Sequence, residues 1–217
     1  MSFRVVCISR SSAAGGESIG QAVAQRLAFR YVDEQIIKRA AQQAQVDPAL
    51  VAATEHRQPL LKRLLDRIPT GAGLASTVTL ATGVPVDAFV PSPSTHRVDS
   101  SDLRVLIRAT IHEVASAGQA VIVAHAASIA LGSMEGVLRV LVTASSDTRV
   151  RRLAEAERIT ETEAERRIAA SDRERREYFR RFYSVDEELP THYDLVINTD
   201  VLRPADASAV ITVVAGS

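Results

Sequence analysis

Hydrophobic positions along the chain fall into two kinds of pattern. Short unbroken apolar runs occur at Val5-Val6-Cys7-Ile8, Ala120–Ala124 (AVIVA), Val137–Thr143 and Tyr193–Asn198 (YDLVIN). Runs of this length suit strands buried on both faces. Phe29–Asp33 adds a shorter strand that ends in an acid. Between the runs, apolar residues recur every three or four positions, the spacing of an amphipathic helix. Ile19, Val23 and Leu27 do so after Glu17, and Ile36, Ile37, Ala40 and Ala41 do so over Glu34–Gln45. Asp47-Pro48 opens another helix, proline being welcome in a first turn, and Leu60, Leu61, Leu64, Leu65 and Ile68 form a further one. Leu103, Leu106, Ile107, Thr110, Ile111 and Val114 mark Asp102–Ala117, with Gly118 as its cap. Ser146 is placed to cap a helix through Glu157, and Thr160-Glu161-Thr162-Glu163 is a capping box for a helix running to Tyr183. Pro204–Val214 closes the chain as a helix.

Apolar strands alternating with helices predict an α/β fold, a parallel sheet covered on both sides. Ligands of such sheets sit at the carboxyl ends of the strands. Ser9–Gly16, Asp33, His125, Thr143–Ser146 and Asn198–Asp200 all fall there, so one site at one sheet edge is expected.

The composition keeps this picture ordinary. In 217 residues, 46% are hydrophobic and 24% charged, enough for one α/β domain with a real core. The net charge of zero gives no general attraction to nucleic acid or to an anionic membrane. Without an evident leader or membrane span, a cytoplasmic protein is expected, and the sequence leaves a homodimer open. Cys7, the single cysteine, reads as a buried small hydrophobe. Thr70–Ser101 departs from the rest: it is rich in Gly, Pro, Ser and Thr and poor in charge. Its length points to a functional or mobile segment, or to a disordered insertion.

Residues 4–28 carry the first candidate chemistry. They read as strand, glycine-bearing loop and helix, an arrangement that presents free backbone N–H groups to an anion. Laid on Ser11–Ser18, the phosphate-loop pattern G-x-x-x-x-G-K-[ST] finds Gly16 and Ser18 in place, Ser11 for the first glycine and Glu17 for the lysine. By itself this match also fits an ordinary strand-to-helix turn with Glu17 in the first helical turn.

Basic charge is almost all arginine, Lys38 and Lys62 being the only lysines, so any phosphate must be met by arginine forks and backbone amides. Arg149, Arg151, Arg152 and Arg158 lie on one helix, and Arg166, Arg167, Arg173, Arg175, Arg176, Arg180 and Arg181 on the next. Ile168, Phe179 and Phe182 anchor that second helix, whereas Asp172–Glu177 contains no apolar residue and is not expected to pack on a core. Arg173, Arg176 and Arg180 share a face. Such a face can neutralise a transferring phosphoryl group, or be a solvated lattice of ion pairs. Asp33 can hold an acceptor hydroxyl or a metal, or simply cap a helix. The five histidines show no metal spacing. His112 reads as structural, and His125, just past a strand, is the one placed for chemistry.

Taken together, these residues resemble the cytidylate kinase-like proteins, a branch of the P-loop nucleoside monophosphate kinases. The resemblance rests on Val140–Thr143, Arg149–Leu153, Ile168–Arg175, Tyr178–Tyr183 and His192–Asp200, the SDRER…RRFY…HYDLVINTD series. Ile8-Ser9-Arg10, Gly15-Gly16, Ile19-Gly20 and Tyr31-Val32-Asp33 extend it to the amino-terminal half. It implies a three-layer α/β/α domain over residues 1–217, with a five-stranded parallel sheet of order 2-3-1-4-5. Within that domain, residues 45–101 would be an acceptor-binding-like or mobile insertion and residues 158–183 an arginine-bearing lid. It implies ATP and magnesium as cofactors and a nucleotide or related small molecule as substrate. Ser12, Gly15, Gly16, Glu17 and Ser18 would form the phosphate loop, with Ser18 toward magnesium. Arg149, Arg152, Arg158 and Asp33 would be the catalytic set, and His125, Asp172, Arg173 and Arg176 would bind acceptor or phosphate.

The chain departs from that pattern at several positions. The family has a basic residue where Glu17 stands, Gly-Arg-Gly where Ala124-His125-Ala126 stands, and loop glycines at Ala13 and Ala14. A carboxylate beside a polyphosphate repels it by roughly a few kcal/mol at intermediate dielectric, which magnesium or Arg10 can offset in part. Two functions follow as expectations: an ATP-dependent phosphotransferase, or a catalytically impaired relative that senses nucleotides or binds a partner. A third is a loop adapted to another ligand.

Overall fold

The computed structural model describes residues 3–37, 100–124 and 126–216. The helices expected between 38 and 68, the segment 70–99 and His125 lie outside the described residues.

Five parallel strands form the sheet: β1 (Val5–Arg10), β2 (Arg30–Asp33), β3 (Ala120–Val123), β4 (Val137–Thr143) and β5 (Leu195–Asn198). Their spatial order is β2-β3-β1-β4-β5, as expected. Register is fixed by pairs such as Val6 with Val121, Val6 with Leu138 and Val142 with Ile197. The helices are α1 (Gly16–Leu27), α2 (Ser100–Ala117), α3 (Ala127–Leu131), α4 (Ser146–Glu157), α5 (Glu161–Tyr183) and α6 (Pro204–Ala215).

Side chains of β1 alternate between two cores, as strand geometry requires. Val6 and Ile8 meet Ile19 and Val23 of α1 and Ile211 of α6 on one face. Val5 and Cys7 meet Ile111 and Val114 of α2 and Leu131 of α3 on the other. Gly20 allows α1 to approach the sheet closely, since a Cβ there would stand 2.5 Å from Val123 Cγ2. The capping signals act as expected at Thr160, whose hydroxyl accepts from Glu163 N–H at 3.2 Å, and at Gly118, whose φ is +72°.

Four readings need correction. Strand β5 is the edge of the described sheet and only its Ile197 is buried, because among the described residues no strand pairs with its far side. Ser145, not Ser146, caps α4, its hydroxyl accepting from Thr148 N–H at 3.3 Å. Helix α3 was not expected, being too short to show a period. The polar run on α5 does touch the interior. Arg175 is buried on the same side as Ile168 and Phe179, seven and four positions away, with its guanidinium carbon 4.7 Å from the centre of the Phe179 ring. No helix among the described residues is long and apolar enough to cross a membrane.

Candidate functional site

Strand β1 ends at Arg10, and residues 11–15 turn the chain into α1. The turn is fastened to its surroundings. Ser11 N–H donates to Val142 O at 3.0 Å, and Ala14 N–H to Ser11 O at 3.2 Å. Ala13 and Gly15 adopt left-handed backbone, at φ +60° and +83°. Gly15 occupies the N-cap position of α1 with no side-chain capping bond. The first N–H groups of any helix lack intrahelical acceptors, and at the start of α1 no side chain caps them. Ser18 donates its hydroxyl to Gly15 O at 2.9 Å. Ser12 is half-buried in the same turn.

Support for the loop comes from the carboxyl ends of β4 and β5. Thr199, just past β5, directs its hydroxyl to Ala14 O at 2.9 Å and Thr143 O at 3.2 Å. Arg152 donates to Thr199 Oγ1 at 3.0 Å and to Thr199 O at 2.5 Å. Asp200 accepts from Ser145 N–H at 2.8 Å, and this bond, first among the causes, holds its carboxyl below the usual aspartate range.

At the mouth of the loop, Arg10 and Glu17 form an ion pair with 2.6 Å between Nη2 and Oε1. The stem of Arg10 runs over Gly16, where a Cβ would lie 2.6 Å from Arg10 Cβ and 2.8 Å from Cδ. Tyr31 of β2 belongs to the same corner. Burial, then the carboxylates of Asp33 and Glu17, push its hydroxyl up to about 12, with Arg10 opposing. Asp33 ends β2, and its Oδ1 accepts from Ile36 N–H at 2.8 Å, so it caps the helical turn at 34–37.

The arginines of α4 and α5 divide into two groups. Arg149 is buried and holds Asp172 through both ends of its fork, at 2.9 and 2.8 Å. Its Nε is buried with no hydrogen-bond partner. Arg175 donates to Arg10 O at 2.9 Å and to both carboxylate oxygens of Glu188, at 2.8 and 2.5 Å. Tyr193 donates to the same Glu188, and burial first, then that carboxylate, raise its hydroxyl above the tyrosine range. Arg158, Arg173 and Arg176 are exposed, and Arg158 is the left-handed C-cap of α4. The structure therefore joins Ser12, Gly15, Gly16, Glu17 and Ser18 in one turn, with Arg152 bonded to the Thr199 that supports it, and leaves Asp33 as a helix cap at the end of β2. It keeps Arg149 and Asp172 together as a separate α4–α5 joint. Sequence reasoning gave Arg175 and Thr199 no role of their own; the signal for Arg175 was its seven- and four-residue spacing from Ile168 and Phe179.

A β1–loop–α1 unit at the centre of a 2-3-1-4-5 parallel sheet defines a P-loop kinase-type α/β/α protein. Two solved structures share the fold at 14% identity over 98% of both chains: an uncharacterized protein from Eubacterium ventriosum, with a TM-score of 0.66, and shikimate kinase from Bacteroides thetaiotaomicron, with a TM-score of 0.52. The cytidylate kinase-like family matches residues 5–201, and the chain belongs to that family. A cytidylate kinase from Sulfolobus acidocaldarius is 38% identical over 74 residues, 34% of this chain and 41% of that protein. The family supports a nucleotide kinase-like protein, and the solved structures support its fold.

Proposed function

We propose that this chain is an ATP-dependent phosphotransferase acting on a nucleoside monophosphate or a related small molecule. The observation that carries the reading is the loop backbone: left-handed turns at Ala13 and Gly15, fastened by Thr199 and opening onto the start of α1. Alanine enters the left-handed region at a cost, and retention of that conformation is what a phosphate-binding turn requires. Donor phosphates take the residue 12–18 turn. The Ser18 hydroxyl gives its proton to Gly15 O and keeps lone pairs for a magnesium ion bound mainly by phosphate and water. When bound, that ion neutralises charge on the transferring phosphoryl group. Arg152 steadies the loop through Thr199, and the exposed Arg158, Arg173 and Arg176 supply forks for phosphate oxygens. Asp33 takes the acceptor in this reading. Cytoplasmic residence accords with this chemistry.

The second reading is a nucleotide-sensing or interaction module without turnover. Two pairs favour it: the Glu17 carboxylate at a position where the family has a base, and the Arg149 fork spent on Asp172. Calorimetry with ATP, magnesium and CMP, followed by an assay for ADP, tests both. Binding with ADP formation supports the phosphotransferase, and binding without it selects the second reading. No ATP binding at millimolar concentration by folded protein overturns the first.

A further inference from the structure

Glu17 is the residue least expected in a phosphate loop, and its partner gives it a role. Its carboxylate engages the guanidinium of Arg10, whose side chain is 16% exposed against 53% for Glu17. The arginine is therefore held in the loop wall while the acid reaches toward solvent. Glycine at position 16 is what makes room for the arginine stem, because any Cβ would collide with it. The Arg10 backbone is fixed independently by the bond from Arg175 to its carbonyl. A guanidinium accepts a carboxylate or a phosphate with the same fork geometry.

We infer that Arg10 is the phosphate-facing cation of this loop, taking over from the missing base at position 17, and that Glu17 is a latch that occupies Arg10 until a polyphosphate displaces it. The inference rests on the phosphate-loop reading of residues 12–18 and specifies how that loop is charged and regulated. The ligand class is a nucleoside triphosphate or other polyphosphate. A single weak anion does not repay loss of the ion pair, whereas a polyphosphate also collects the amides at the start of α1. Selection against inorganic phosphate follows.

The test is titration calorimetry of the full chain with tripolyphosphate and with magnesium ATP, across wild type, Glu17→Gln, Arg10→Met, the double variant and Glu17→Lys. Melting temperatures establish that each is folded. The latch requires that Glu17→Gln tighten binding about tenfold, the worth of one freed charge-assisted contact. Arg10→Met must weaken binding, and the gain from Glu17→Gln must vanish in the double variant. A gain that persists without Arg10 means that Glu17 acts by repulsion alone, and overturns the latch. No gain from Glu17→Gln, with clear binding by Glu17→Lys, overturns the latch and leaves the phosphate loop standing. No binding by any folded variant overturns both.

Discussion

The buried guanidinium of Arg175, midway along α5, donates to the carbonyl of Arg10, the last residue of β1, at 2.9 Å. One side chain of α5 thereby ties down the point where the central strand gives way to the loop. Glu188 neutralises that arginine, and Tyr193 shares the acid, so the joint spans α5, the segment after it and the approach to β5. Removing one member of a buried pair leaves the other charged and unpaired, which costs about 3 kcal/mol or more. Arg175→Met is expected to lose about that much in urea unfolding. Arg175→Lys, which keeps charge but not the fork, should lose about half.

Ala13 offers a change in the opposite direction. Its φ of +60° is a region that an L-residue enters at about 1–2 kcal/mol, part of which glycine returns as unfolded-state entropy. Ala13→Gly should therefore stabilise by about 0.5–1 kcal/mol, raising the melting temperature by roughly 2 °C for a chain of this size. If the melting temperature falls instead, the left-handed backbone at Ala13 is not the conformation in solution.

Cys7 reports on the core beneath the site. It is fully buried, and burial, opposed by weaker effects of Ser128 and Arg139, pushes its thiol up to about 12. In the unfolded chain it titrates near ~8.5. The raised folded value means that the contribution to stability is complete below ~8.5 and is lost as pH rises from there toward about 12. Native protein at pH 8 should react with a thiol reagent only as fast as it unfolds. Unfolding free energy should fall between pH 8 and 10 less in Cys7→Ala than in wild type.

The sheet was legible because β1, β3 and β4 are apolar on both faces, a composition that leaves few alternatives to a covered parallel sheet. β5 shares the apolar composition but not the burial, since an edge position depends on strand order and not on the segment itself. Asp33 shows the reverse limit. Its place at the end of a strand marked it for the site, and its carboxylate caps the next helical turn. Both readings were open because an N-cap and an active-site acid occupy the same point in a β–loop–α unit. Arg10 and Glu17 lie on different elements, and their pairing depends on Gly16 having no side chain. The significance of Arg175 depends on Glu188 and on a carbonyl far away in sequence. Helical spacing can place a residue on the inward face, but it cannot name the partners that make a buried charge tolerable.

Thr199 separates loop support from loop charge. Its single hydroxyl proton faces two carbonyls, Ala14 O at 2.9 Å and Thr143 O at 3.2 Å, while its oxygen accepts from Arg152 at 3.0 Å. Thr199→Val keeps the shape and removes the hydroxyl. Ala14 O then loses its donor and one Arg152 N–H its acceptor, at a cost of about 1–3 kcal/mol for groups buried this way. Thr199→Ser should recover most of that loss, because the hydroxyl returns and only a methyl group is missing. Neither variant changes a charge at the loop mouth, where Arg10 and Glu17 stand. If Thr199 holds the loop in its anion-receiving shape, Thr199→Val should weaken magnesium ATP binding as well as stability, and Thr199→Ser should restore both together. A Thr199→Val protein that melts earlier yet binds tripolyphosphate like wild type would show that Gly15 and the start of α1 set the loop shape without it.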